Sequence, residues 1–318
     1  MNWKKFFTRL SVFAVIVLVI LALLPILVMS MFLGQRYYQY QHNPAGFGIA
    51  PYQISLTTYD GLTLAAWHTF ASHDENEPPH GTVIVLSGLQ EPSITAFFGY
   101  ASMLANNGWD TLLIEKRARS LSAGDSIGFG ISEWLDVKAG VYYLDADPRA
   151  GDLPIVTMGT SAGGVAVIIA GGEIPRIDGV IAISAYSNFV DLYVDGIAMM
   201  GLPRFLGTLT TPFMHLRMGI SFGFSQTRLT PENGIANLGH RPILLMHSTE
   251  DWQVPFSHFK RLRQVAEDSD INITTFVREG DWHFVCYDRY IFTPARDVEF
   301  TRAILGFLQQ FDSQSLRA

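Results

Sequence analysis

The sequence predicts an α/β domain with a mostly parallel central sheet and flanking helices, carried behind an N-terminal transmembrane helix. Three observations predict it. Short β-branched runs alternate with segments of helical spacing through most of the chain. An uncharged apolar stretch from Leu10 to Leu33 follows Lys4, Lys5 and Arg9. The pentapeptide Gly159-Thr160-Ser161-Ala162-Gly163 stands between an apolar strand-like run and a small-residue helical run. Alternating strands and helices build parallel sheets, because each crossover helix packs back onto the sheet.

The chain of 318 residues suits one large domain with appendages. The apolar N-terminal stretch is about 24 residues, roughly 36 Å of helix, enough to span a hydrocarbon core of about 30 Å. Trp3, Phe6 and Phe7 at one end and Tyr37, Tyr38 and Tyr40 at the other suit interfacial belts. Three basic residues precede the span and Arg36 alone follows it, which puts the N-terminus in the cytosol and the large domain across the membrane. A bacterial inner membrane with the domain on the periplasmic side is the expected setting. A cleaved signal peptide competes, with Val28 and Ser30 as a weak cleavage site, but the apolar core exceeds the usual length and lacks A-x-A. Pro25 is tolerable within a membrane helix.

Residues 35–51 read as a connector. Tyr52 to Thr58 and Leu62 to Phe70 read as strands around an Asp60-Gly61 hairpin turn. Thr82 to Ser87 is a continuous β-branched run, the mark of a strand buried on both faces, and Trp109 to Glu115, Leu153 to Met158, Gly179 to Ala185 and Pro242 to His247 also read as buried strands. Asn272 to Val277 closes the strand series. Helices are expected at 94–107, 131–145, after Ser161, at 254–267 and at 298–311. Residues 186–241 interrupt the alternation. They are too long for a simple loop and are expected to hold helices forming a lid, with Met199, Met200, Phe205, Phe213 and Met214 able to line an acyl or aromatic pocket or merely to pack. The domain thus covers 52–318.

Composition excludes several classes. The formal charge of −7 and the lack of a basic stripe give no support to nucleic-acid binding. One cysteine, Cys286, allows no internal disulfide, and no Cys/His cluster has zinc spacing. No cofactor or metal is implied, and Cys286 reads as a buried, inert thiol.

The G-x-S-x-G turn lifts Ser161 above the carboxyl edge of the sheet, where ligands bind in such folds. A serine hydroxyl needs a base to take its proton and a third group to hold that base. In this topology the order is Ser, acid, His. Asp251 follows the Pro242–His247 strand, just before Val254-Pro255, and His283 follows the Asn272–Val277 strand. Glu250 and Asp281 are competing acids that read more simply as solvated loop charges. His247 reads as a packed strand-end residue and His258 as an exposed or partly buried helix residue. His68, His73, His80, His215 and His240 lack supporting context. The oxyanion hole should use the backbone amides of Ala162 and of Leu89, the latter in the Ser87-Gly88-Leu89-Gln90-Glu91-Pro92 loop, with Gly88 permitting close approach. Ser87 reads as a hydroxyl bonded within that loop.

Further segments fall in a recognisable order: Tyr59-Asp60-Gly61, Ser87-Gly88, Arg117-Ala118-Arg119-Ser120-Leu121-Ser122-Ala123-Gly124, Gly130-Ile131-Ser132-Glu133-Trp134-Leu135-Asp136-Val137, the elbow, and the Asp251 and His283 loops. With these, residues from about 52 to 312 resemble the α/β-hydrolase superfamily, in the serine-hydrolase branch similar to prolyl-oligopeptidase-like and monoacylglycerol-lipase-like domains. The chain departs from that pattern at Ser87-Gly88 (usually His-Gly), at Ala118 and Ser120 (usually glycines), and at Asp281-Trp282 before His283 (usually a glycine turn). The resemblance implies hydrolysis of a small-molecule or lipid ester through an acyl-enzyme, with peptide or acyl-thioester cleavage as the runner-up. A non-catalytic binding protein on the same fold is the rival from another class. Nothing in the sequence specifies an oligomeric state.

Overall fold

The computed structural model describes residues 3–34, 42–72, 78–89 and 93–311. The expected belt residues Tyr37, Tyr38 and Tyr40, with Arg36, lie outside these, as do His73 and Gln90-Glu91-Pro92. Contacts divide the chain into two compact units, one of residues 1–34 with 189–228 and one of the remainder.

The first unit is helical. α1 (Trp3–Leu33) contains a candidate 29-residue span, Trp3–Met31, in which an 18-residue window has mean hydropathy 3.3. It is long and apolar enough to cross a membrane. Only 11% of that window is buried, and Pro25 and Met29, toward the C-terminal end of the span, are buried positions.

The second unit holds the sheet: β1 (Tyr52–Thr57), β2 (Thr63–Thr69), β3 (Thr82–Leu86), β4 (Asp110–Ile114), β5 (Ile155–Thr160), β6 (Gly179–Ile183), β7 (Ile243–Ser248) and β8 (Ile273–Arg278). The strand order is β1-β2-β4-β3-β5-β6-β7-β8. β2 runs antiparallel to β1 and β4, and all other pairings are parallel. Every residue of β3 to β7 is buried, whereas the edge strands β1 and β8 are mostly exposed or half-buried. This is why the central strands are largely apolar in sequence.

Crossover helices are α2 (Phe98–Ala105), α3 (Trp134–Asp145) and α4 (Ala162–Glu173). The fold is therefore the α/β architecture with a mostly parallel sheet that the sequence predicts. The long segment between β6 and β7 is helical. α5 (Phe189–Met199) and α6 (Arg204–Phe222) belong to the helical unit, where α6 packs on both α5 and α1. Tyr193 Oη lies 2.7 Å from Thr210 Oγ1, and Arg204 pairs with Asp195, both joining α5 to α6 or its start. α7 (Pro231–Ala236) packs on α4 in the sheet unit, with Gly172 and Gly234 at the crossing: a Cβ on Gly172 would stand 2.7 Å from Gly234 Cα. α8 (Phe256–Asp268) and α9 (Val298–Leu308) complete that unit. Of the apolar residues expected to line a pocket, Met199, Met200 and Phe205 are exposed, Phe213 is half-buried and Met214 is buried.

Candidate active site

Ser161 joins β5 to α4 at φ 56° and ψ −121°, a conformation that costs a residue with a side chain about 1–3 kcal/mol. The surroundings hold it there. Its N–H donates to Ile183 O on β6 at 2.7 Å. Its flanking glycines admit no side chain: a Cβ on Gly159 would lie 2.3 Å from Gly163 O, and one on Gly163 would lie 2.5 Å from both Leu86 O and Ser87 O. The elbow is thus pressed against the end of β3. Ala162 opens α4, so its N–H has no carbonyl within the helix to bind.

Asp251 and His283 meet. Asp251 Oδ2 lies 2.8 Å from His283 Nδ1, and both residues are buried, at 4% and 8% exposure. Asp251 Oδ1 accepts from the amides of Gln253 (2.9 Å) and Val254 (3.0 Å). Burial pushes the Asp251 carboxyl up, but the hydrogen bond and charge of His283, the Val254 amide and His247 together hold it below the usual carboxylate range. The two loops are stitched to each other. Ser248 Oγ donates to Trp282 O (2.7 Å), Glu250 N to Gly280 O (2.8 Å), and Gly280 N to Thr249 Oγ1 (3.2 Å). Among the described residues no hydrogen bond links Ser161 Oγ to His283.

The other candidates sort clearly. Glu250 and Asp281 are exposed. His247 is buried beside the stacked rings of Phe256 and Phe259, with Nε2 2.9 Å from Val254 O and 3.7 Å from Asp251 Oδ2. Burial lowers its pKa, so a neutral ring donates Nε2–H to that carbonyl and props the acid loop. His258 is fully buried, contrary to the exposed or half-buried helix position expected; its Nδ1 lies 3.0 Å from Ser187 Oγ and 2.9 Å from Arg261 Nη2. His68 is buried beside Tyr143, and His215 and His240 are exposed.

Leu89 and Ala162 border one small cavity, together with Leu86, Lys116, Ile127, Glu133 and Gly163. Two of its supports were not singled out in the sequence. Lys116, only 2% exposed, donates from Nζ to Ser87 O (3.2 Å) and Ser87 Oγ (3.4 Å). Its neighbour Glu115 accepts from Ser93 Oγ (2.6 Å) and the Ile94 amide (3.2 Å), and burial raises its pKa. Adjacent residues at the end of β4 therefore clamp both sides of the loop that carries Leu89. The signal was available as charged residues directly after a buried strand, at the carboxyl edge. Arg117, next in line, binds Asp136 (Nε–Oδ1 2.8 Å) and Asp60 (Nη1–Oδ2 2.8 Å), joining the start of α3 to the β1–β2 turn. Burial pushes Asp136 up to about 6 against the pull of Arg117. Ala118 and Ser120, where the related pattern has glycines, have φ of 54° and 44°.

Cys286 is buried and free, with its thiol pushed up to about 12 by burial. Among the described residues no group of His, Cys, Asp or Glu is arranged to hold a metal ion.

A β2-inverted parallel sheet, a strained serine between β5 and α4, and an acid and a histidine after the last two strands define the α/β-hydrolase fold. Solved structures agree. An esterase from Pyrococcus furiosus is 21% identical, matching 85% of this chain and 97% of its own at a TM-score of 0.66. An acylaminoacyl peptidase from Pyrococcus horikoshii is 16% identical over 82% of this chain and 41% of its own, at 0.61. The α/β hydrolase GrgF from a Penicillium species is 16% identical over 83% and 99%, also at 0.61. At these identities the likeness is one of fold. No protein-family model and no curated protein matches the sequence.

Proposed function

We propose that this chain is a membrane-anchored serine hydrolase acting on carboxylic esters, including lipid esters. The observation that carries the reading is the buried 2.8 Å contact between Asp251 and His283, on the same sheet edge as a serine held at positive φ. Ser161 Oγ attacks the carbonyl carbon and His283 Nε2 takes its proton. Asp251 fixes the Nδ1–H tautomer and stabilises the imidazolium. The Ala162 and Leu89 amides receive the oxyanion. His283 returns the proton to the leaving oxygen, and water, activated the same way, releases the acyl group. Ser161 turns toward His283 as substrate binds, since catalytic hydrogen bonds tighten in the Michaelis complex.

The esterase among the fold neighbours favours ester substrates, and the acylaminoacyl peptidase supports a peptide substrate as the second reading. The anchor reading rests on the uncharged apolar stretch of α1 from Leu10 to Leu33 and on Lys4, Lys5 and Arg9 before it, which orient the hydrolase unit away from the cytosol.

The test is labelling with a fluorophosphonate probe, wild type beside Ser161→Ala. Labelling of the wild type that vanishes in the variant is expected, with ester turnover reduced at least about 10⁴-fold. A folded wild type that takes no label would favour a binding protein on a hydrolase fold.

A further inference from the structure

α6 carries an apolar stripe that faces outward along its whole length. Phe205, Leu209, Pro212, Leu216 and Ile220 are exposed and fall within an arc of about 80° at 3.6 residues per turn. Leu216 is 51% and Ile220 66% exposed. The inward face is different: Gly207, Thr210, Met214 and Met218 are buried. A soluble domain does not leave such a stripe to water without a partner.

We propose that α6 lies in the lipid–water interface, with this stripe in the acyl-chain boundary beside the point where α1 leaves the bilayer. The proposal rests on the anchored reading of α1. Three observations select lipid as the occupant. α6 packs on α1 within one compact unit, and that unit's apolar span is itself mostly unburied, so both helices present apolar surface to the same surroundings. Pro25 and Met29, buried positions of α1, lie toward the end of the span remote from Lys4 and Lys5. Arg204 is already paired with Asp195, but from Gly196 to Pro231 there is no acidic residue, and Arg217 and Arg228 add positive charge, a balance that suits anionic headgroups. α6 itself is too polar to cross, with Arg204, Arg217, His215 and several threonines along it.

Full-length protein is reconstituted in phosphatidylcholine/phosphatidylglycerol vesicles whose lipids carry nitroxide quenchers at shallow or deep positions. Cys286 is fully buried, so an introduced surface cysteine takes an environment-sensitive fluorophore selectively. Labels are placed at Phe205→Cys and Leu216→Cys on α6, at Leu18→Cys in mid-span, and at Arg263→Cys on α8. Expected is quenching at Phe205 and Leu216 at least twofold stronger with shallow than with deep nitroxides, deep quenching at Leu18, and none at Arg263. Quenching at Leu18 with both α6 sites no different from Arg263 would overturn the docking of α6 and leave the anchor standing. The docking is equally overturned if the α6 sites escape lipid quenching and instead crosslink between two copies of the chain. Absence of quenching at Leu18 as well would remove the anchor, and this inference with it.

Discussion

The two sides of the candidate site are held by different means. On the acid–base side, side chains do the holding. Asp251 is fixed by two amides and His283, and the neighbouring loops are tied by Ser248, Thr249 and His247. On the nucleophile side, backbone conformation does it. Ser161 is positioned by a positive φ, by glycines with no room for a Cβ, and by the hydrogen bond its backbone N–H donates to Ile183 O on β6. The first side should fail when hydrogen-bonding groups change and tolerate small changes of volume. The second should fail when a single methyl group is added.

The largest expected effect comes from Asp251→Asn. The Gln253 and Val254 amides already bind Oδ1, so the new carboxamide oxygen takes that place and its NH₂ faces His283 Nδ1. The imidazole is then forced into the wrong tautomer, and ester turnover should drop about 10⁴-fold with little change in thermal stability. A variant that keeps more than a tenth of the activity would detach Asp251 from the chemistry. Gly163→Ala comes next. Its methyl meets two backbone carbonyls that cannot swing away, so a loss of about 1–3 kcal/mol in stability is expected, along with at least about a hundredfold loss of rate as Ala162 shifts. A melting temperature equal to wild type would show that the elbow gives more readily than its contacts suggest. Ser248→Ala removes one bond to Trp282 O and should cost about 1 kcal/mol and no more than about tenfold in rate; a total loss of activity would mean that the His283 loop hangs on that one contact. The smallest effect is a gain. Ser120→Gly relieves a left-handed residue whose buried Oγ has no partner among the described residues, and a net stabilisation of up to about 1 kcal/mol should appear in thermal melts. A destabilised Ser120→Gly would show that the hydroxyl matters more than the backbone strain.

Much of this was legible in the sequence because it depends on local pattern. The largely apolar runs of β3 to β7 follow from burial on both faces, and G-x-S-x-G follows from the tightness of the turn. The Asp60-Gly61 hairpin sits where its turn chemistry puts it. The strand expected at Leu153–Met158 instead runs from Ile155 to Thr160, right up to Ser161, because the tight elbow lets β5 continue to its last residue. The helix expected at 131–145 starts at Trp134, after Glu133 has bound the amides of Gly128 and Gly130, each at 2.7 Å. What local pattern could not show was non-local. Glu115 falls at the end of an expected buried strand and Lys116 just past it, but no local pattern shows that the loop carrying Leu89 folds over both and makes them its clamps. His258 sits on an amphipathic stretch after the acid loop, yet it is enclosed, with Ser187 from beyond β6 on one side and Arg261 from the next turn of α8 on the other. The packing of α6 on α1 joins segments roughly 180 residues apart in the chain, a pairing that no sequence period encodes.

The burial of Cys286 has a practical consequence. It is the chain's lone thiol and stands three residues beyond His283, fully shielded. Its reaction with an aromatic disulfide reagent therefore times the opening of the histidine loop, with no label to introduce. If that loop opens by itself, the thiol exchanges faster than the protein unfolds globally; if it opens only with the whole sheet, the two rates coincide. One sulfur atom thus works as a stopwatch on the loop that carries His283.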